Sequence, residues 1–195
     1  PIKNHKLFIE ALTLLKSSTE WRAVIIGEGP CLQELKDQVS ALGLNPKIHF
    51  LGWLPNLVPI YADLHFTACT SLNEGTPLSI VESFASSCPV IATRVGGIPD
   101  MFQTDNLGSY ENQFTEPGLS IAKEGILTES SNAPLFAKAI DIFLDNIDFR
   151  NQAATACRKT AENYHLSYLC DRTAELYKKL LGKSDAQNID LRLSA

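Results

Sequence analysis

The chain has 195 residues, 45% of them hydrophobic and 20% charged, a globular composition that excludes a disordered or fibrous protein. Its 17 basic and 22 acidic residues leave a formal charge of −5 with no lysine/arginine run, so nothing marks a nucleic-acid partner. No apolar stretch approaches the roughly 18 residues that span a bilayer, and no signal-peptide core opens the chain, so neither a membrane span nor export is expected.

The hydrophobic pattern alternates between helical and strand periods. Leu7, Phe8, Ala11, Leu12 and Leu15 recur at helical spacing. Ala23-Val24-Ile25-Ile26 follows as a short buried strand, stopped by the turn Gly27-Glu28-Gly29-Pro30. Leu32, Leu35, Val39 and Leu42 line one face of a second helix that Gly43 ends. Residues 48–51 and 64–69 read as strands, 77–86 as a helix with Pro77 at its first position, and 90–93 as another strand before Gly96-Gly97. Residues 103–124 fit no element and are expected to form a long loop; helices are expected over about 134–145, 149–163 and 167–181.

Short apolar strands alternating with helices define an α/β fold, a doubly wound parallel sheet with helices on both faces. Such folds usually begin on a strand, whereas this chain begins at Pro1 and with a helix. The expectation is therefore that a first strand, and a preceding domain, lie upstream of Pro1. Residues 1–182 are read as one Rossmann-like domain and 183–195 as a polar tail. The five scattered cysteines, Cys31, Cys69, Cys88, Cys157 and Cys170, form no C-x-x-C and are expected to be free, buried thiols in a reducing compartment.

In open α/β sheets, ligands bind at the carboxyl ends of the strands. Three loops there invite chemistry. The first, G-E-G-P at 27–30, lacks the third glycine and the distal acid of a dinucleotide fingerprint, so it is read as a strand–helix turn and not as an NAD site. The second runs S-L-N-E-G-T-P-L-S-I-V-E over 71–82 from a strand into a helix. Pro77 leaves the amides of Leu78 and Ser79 at the helix N-terminus, where a phosphate is favoured. On the helical wheel Leu78, Ile80, Val81, Phe84 and Ala85 form the apolar arc, and Ser79, Glu82 and Ser86 the polar stripe. Glu74, ahead of Gly75-Thr76-Pro77, can turn to the same cleft, so two carboxylates flank a phosphate-binding helix end, a pattern suited to neighbouring hydroxyls of a sugar or ribose. The blander reading makes Glu74 a loop charge and Glu82 a solvated helix residue. The third loop, G-G-I-P-D at 96–100, lets the backbone pass close to a ligand or another strand.

The run E-G-T-P-L-S-I-V-E-S-F-A-S-S-C-P-V-I-A-T-R-V-G-G-I-P-D, residues 74–100, resembles the signature of glycosyltransferase family 4. The A-V-I-I-G-E-G-P strand-turn, F-L-G-W at 50–53, Y-A-D-L at 61–64, K-N-H at 3–5 and the closing helix around 177–181 also resemble that family, over nearly the whole chain. Its members are retaining transferases with the GT-B fold, and the matching part is their C-terminal, donor-binding half.

The resemblance implies that Glu74 contacts hydroxyls of the donor sugar, as the residue closest to the reaction, and Glu82 the ribose. It implies that backbone amides of Gly75, Thr76, Leu78 and Ser79 approach sugar and diphosphate, that Lys3 pairs with the diphosphate, and that the backbone around Leu54 reads the base. It further implies a hexose donated from a nucleotide diphosphate sugar to a glycan, lipid or small-molecule hydroxyl, with no metal and no cofactor. The acceptor would be bound by an N-terminal domain, without which this chain alone is expected to be inactive. The expected location is cytoplasmic, at the inner face of a membrane if the full-length protein associates peripherally with it. Thr76-Pro77, His65 and Ser86-Ser87-Cys88 depart from the common family pattern, the last two expected on strand and helix, and the family's arginine five residues before the lysine would fall upstream of Pro1. Two other readings stay open: a nucleotide-sugar epimerase on a GT-B fold, and a non-catalytic nucleotide-sugar binding module.

Overall fold

The computed structural model describes residues 2–105, 107, 114 and 116–181. The expected tail, 183–195, and part of the expected long loop lie outside the described residues. The chain divides into two compact units, one ending at Ala161 and the second beginning at Glu162.

In the first unit the order is α1 (His5–Thr13), β1 (Ala23–Ile26), α2 (Leu32–Ala41), β2 (Ile48–Gly52), α3 (Val58–Asp63), β3 (Thr67–Cys69), α4 (Leu78–Ala85), β4 (Val90–Thr93), β5 (Leu119–Ala122), β6 (Gly125–Thr128), α5 (Ala133–Asp145) and α6 (Ile147–Ala161). A short 3-10 turn, Pro99–Met101, follows β4. The second unit carries α7 (Leu166–Leu180), whose Leu169, Leu176, Tyr177 and Leu180 are exposed.

The α/β architecture with a parallel sheet is present. β1 pairs with β2 and β3 with β4, and β4 pairs with β6, all in parallel. Central position shows in burial: every residue of β4 (V-I-A-T) and β6 (G-I-L-T) is buried, the pattern of a strand covered on both faces. Gly125 is required there, because a Cβ would run into the carbonyl of Val90 on the neighbouring strand.

The expected loop over 103–124 is corrected by β5, which lies within it and turns back to pair antiparallel with β6. The pattern hid this hairpin because its turn holds a charged residue. Glu124 is nevertheless fully buried, accepting from the Gln103 backbone N–H at 2.8 Å and the Thr160 hydroxyl at 2.6 Å. The short helix α3, begun by Val58-Pro59, was also not expected.

The core joins α1, α5 and α6 through Ile9, Leu12, Phe136, Ile140, Phe143 and Phe149. Asn132 caps α5, its side chain accepting from the Leu135 N–H at 3.1 Å. Phe66, Phe143 and Phe149 stack in sequence, with centroids 5.3 and 5.4 Å apart. Of the thiols expected to be buried, Cys88 and Cys157 are; Cys31 and Cys69 are half-buried, and Cys170 is exposed on α7, where no residue is buried.

The strands fall into two sheets, β1-β2 and β3-β4-β6-β5. Consecutive residues of β1 and of β3 all line one cavity of about 1070 Å³, so a backbone edge, not a side-chain face, borders it on each side. The chain order of the walls fixes the direction: Lys6 at the start of α1 pairs with Glu34 at the start of α2, and Lys3 pairs with Glu74 beyond β3. The carboxyl ends of β1 and β3 thus lie at the same end of the cavity.

Candidate functional site

The loop after β3 is built from hydrogen bonds that converge on Glu74. The Leu72 N–H donates to Ile2 O at 2.8 Å and the Thr70 hydroxyl to Lys3 O at 2.9 Å, fastening residues 2–3 beside the strand end. The buried Thr93 hydroxyl donates to Ser71 O at 2.6 Å. Ser71 in turn donates its hydroxyl to Glu74 Oε1 at 2.7 Å, and Lys3 Nζ reaches the same oxygen at 2.5 Å. Burial works to raise the Glu74 carboxyl, but the hydrogen bonds from Lys3 and Ser71 and the Lys3 charge outweigh it and hold the group below the usual carboxylate range.

The glycine pair of the third loop sits under this loop. The Gly97 N–H donates to Glu74 O at 3.0 Å. Gly96 adopts φ +52°, and a Cβ on it would collide with Glu74 O, while a Cβ on Gly97 would lie 2.5 Å from Gly75 O. The close backbone approach expected of G-G-I-P-D is thus made to the Glu74-Gly75 segment.

Pro77 does not open α4 as its first helical residue. It is extended (φ −68°, ψ 119°) and precedes Leu78, because its own carbonyl takes the first return bond, from the Ile80 N–H at 3.0 Å. The amides of Leu78 and Ser79 therefore stand ahead of the first intrahelical donor, as expected of a helix N-terminus. The helical-wheel arc needs correction: Leu78 is 73% exposed and Ala85 is exposed, and the buried face is Ile80, Ser83 and Phe84. The arc fails at both ends because at about 3.6 residues per turn Leu78 and Ala85 fall on the side of α4 that carries Glu82, away from Ile80, Ser83 and Phe84. Ser79 and Glu82 are exposed on the polar stripe. Tyr61, on α3, brings its hydroxyl within 3.2 Å of both Glu82 Oε2 and Ser79 O. Burial, the Glu82 charge and that hydrogen bond all push the Tyr61 phenol well above its ordinary value.

Lys3, Glu74 and Ser79 line the cavity between β1 and β3 together with the turn 27–30. That turn is a strand–helix link: Gly27 (φ +108°) donates its N–H to Gly52 O at 2.7 Å, tying the ends of β1 and β2. Leu54 follows β2 half-buried, and Gly75 and Thr76 are exposed before α4. Leu54, Gly75, Thr76, Leu78 and Glu82 are not among the residues that line this cavity. Sequence reasoning missed Ser71 and Tyr61. Ser71 stood in the quoted loop, three residues before Glu74, and Tyr61 opened the Y-A-D-L string, where its side chain had no assigned task. The departures expected on strand and helix lie elsewhere: His65 precedes β3 and Ser86-Ser87-Cys88 follow α4, with Ser87 left-handed at φ 56° as the helix ends. Among the described residues no three His, Cys, Asp or Glu side chains gather as metal ligands, and no helix is long and apolar enough to cross a membrane.

The family described as Glycosyl transferases group 1 matches residues 1–160, ending one residue before the first compact unit does. The chain belongs to this family. It is 22% identical over 177 residues to an alpha-1,4-N-acetyl-D-galactosaminyltransferase of Campylobacter jejuni whose named substrate is a GalNAc-bearing diNAcBac-PP-undecaprenol; the match covers 89% of this chain and 44% of that enzyme. Among solved structures, Anabaena Alr3699/HepE in complex with UDP superposes with a TM-score of 0.75 at 22% identity, over 92% of this chain and 46% of that one. The C-terminal domain of a glycosyl transferase group 1 family protein (LpcC) from Francisella tularensis superposes with a TM-score of 0.66 at 27% identity, over 85% of this chain and 81% of that one. The chain thus spans under half the length of the first two and most of a C-terminal domain, the half of a GT-B transferase that its fold represents.

Proposed function

We propose that the chain is the donor-binding half of a retaining hexosyltransferase that takes a nucleotide diphosphate sugar. The observation that carries this reading is the convergence on Glu74: a carboxylate gripped by Lys3 and Ser71, seated on the Gly96-Gly97 backbone, a few residues before the open N-terminus of α4. Glu74 Oε1 is occupied by its own partners, and a carboxylate retains further lone pairs for the hydroxyls of a sugar. Lys3 and the amides of Gly75, Thr76, Leu78 and Ser79 face the diphosphate, Glu82 the ribose, and the backbone at Leu54 the base. Negative charge builds on the departing diphosphate as the glycosidic bond breaks, and a lysine with aligned amides stabilises it without a metal or cofactor. The acceptor hydroxyl bonds to the anomeric carbon from the face the diphosphate leaves, the sugar–phosphate C–O bond breaks, and the hydroxyl proton passes to the departing phosphate oxygen. UDP in the Anabaena neighbour and the undecaprenol-linked substrate named for the Campylobacter relative support a nucleotide donor and a lipid- or glycan-linked acceptor. Such an acceptor fits a cytoplasmic protein working at the inner face of a membrane, with a second domain supplying the acceptor site.

Calorimetry with free UDP, GDP and ADP and with their sugar conjugates tests the reading. Glu82→Ala should weaken free nucleotide and conjugate alike, by roughly tenfold to a hundredfold, the range of a charge-assisted hydrogen bond. Glu74→Ala should weaken the conjugate and spare the free nucleotide. A folded Glu82→Ala protein with unchanged nucleotide affinity would remove the reading's support.

A further inference from the structure

The geometry points to Tyr61 as a positioning residue for Glu82: its hydroxyl holds one carboxylate oxygen so that the other faces the nucleotide ribose. This inference rests on the donor-binding reading above.

Glu82 is exposed on the polar stripe of α4, where a glutamate with three rotatable bonds would sample many rotamers at a cost to any ligand that must choose one. Tyr61 removes that freedom. It sits on a different helix, half-buried, and donates its hydroxyl to Glu82 Oε2 at 3.2 Å. The same hydroxyl lies 3.2 Å from Ser79 O in the first turn of α4, and its single proton serves one acceptor at a time. Ser79 O can accept from within the helix, whereas Glu82 carries a full charge, so the proton is best placed on the carboxylate. Oε1 is left for the ligand. Burial and the Glu82 charge push the phenol up, so Tyr61 keeps its proton and stays a donor at neutral pH. Tyr61 also borders the cavity that Lys3, Glu74 and Ser79 line, which puts the α3–α4 contact at the edge of the proposed diphosphate site.

A double-mutant cycle tests the assignment: titration of UDP, GDP and ADP into the wild-type chain, Tyr61→Phe, Glu82→Ala and the double variant, with the tightest of the three carried through the cycle. Tyr61→Phe keeps the ring and its packing and should weaken the nucleotide about fivefold, the scale of one hydrogen bond. The double variant should bind no worse than Glu82→Ala, since Tyr61 acts only through that carboxylate. As a spectroscopic companion, the three-bond couplings of the Glu82 side chain should report more rotamer averaging in Tyr61→Phe, because the donor that holds one carboxylate oxygen has been lost. Additive losses, or a Tyr61→Phe protein that melts earlier yet binds like wild type and keeps the same Glu82 rotamer, would overturn the role of Tyr61. Unchanged affinity in Glu82→Ala, or no binding of any of the three nucleotides by wild type, would instead overturn the reading on which it rests.

Discussion

Lys3 Nζ and Glu74 Oε1 are 2.5 Å apart, so a residue at the start of the chain closes an ion pair with one 71 positions away in the loop after β3. Glu74 is only 13% exposed at its side chain and Lys3 is 56% exposed, so the lysine is the partner open to a ligand. A bound diphosphate would have to share it. Removing Lys3 should therefore do two separable things: weaken the diphosphate, and release Glu74 to the effect of its own burial. In Lys3→Met the Glu74 carboxyl should titrate at higher pH than in wild type, read by carboxyl NMR. The sign for stability follows. An acid depressed in the folded state adds stability above its unfolded value and loses it as pH falls through the folded one. Urea midpoints of wild type should thus fall more steeply than those of Lys3→Met on acidification through and below the ordinary carboxylate range, and parallel curves would contradict the pairing.

Gly97→Ala should disable binding before it unfolds the chain. A Cβ there would lie 2.5 Å from Gly75 O, backbone that can yield only by moving the Glu74-Gly75 segment. Sugar-nucleotide affinity should fall by more than about tenfold, with a stability loss of about 1–3 kcal/mol, typical of a forced local shift. Calorimetry and thermal melts on one preparation measure both; unchanged affinity would mean the two loops move independently.

Glu124 offers the opposite pattern. Glu124→Ala leaves the Gln103 N–H and the Thr160 hydroxyl without their buried acceptor, a cost of about 1–3 kcal/mol. Glu124→Gln keeps one acceptor oxygen and should cost less. Neither should alter nucleotide affinity, since the β5–β6 turn lies away from the residues around Glu74.

Thiol reactivity should follow burial. Burial pushes the Cys88 thiol up to about 11 and the Cys157 thiol higher still, so neither forms thiolate at neutral pH. A disulfide reagent should label the exposed Cys170 first and reach Cys88 and Cys157 only on unfolding. Fast labelling of Cys88 in the native protein would contradict its packing.

Strand–helix alternation was legible because β1 is an unbroken apolar run closed by Gly27 and β4 an apolar run ending in Thr93 shortly before Gly96-Gly97, and the Glu74–Glu82 segment was legible because a strand, a proline and a helical stripe meet there. The β5–β6 hairpin was not, since β6 opens on a glycine and the charged pair Lys123-Glu124 at the turn imitates a surface loop, although Glu124 is buried. Tyr61 was not, because the contact that matters joins two helices across 21 residues, and no local pattern reports a tertiary hydrogen bond. The exposure of Leu78 was not legible because an apolar side chain reads as core, whereas Leu78 lies on the side of α4 that carries Glu82, away from Ile80 and Phe84.

The break between the two sheets has a consequence for binding. Ladder hydrogen bonds make neighbouring strands a stiff unit, and among the described residues β1-β2 and β3-β4 share none. Leu54 and the turn 27–30 follow one sheet, while Glu74 and Glu82 follow the other. A nucleotide sugar gripped at both ends would act as a splint across the seam, slowing hydrogen exchange along β1 and β3 far from any atom it touches.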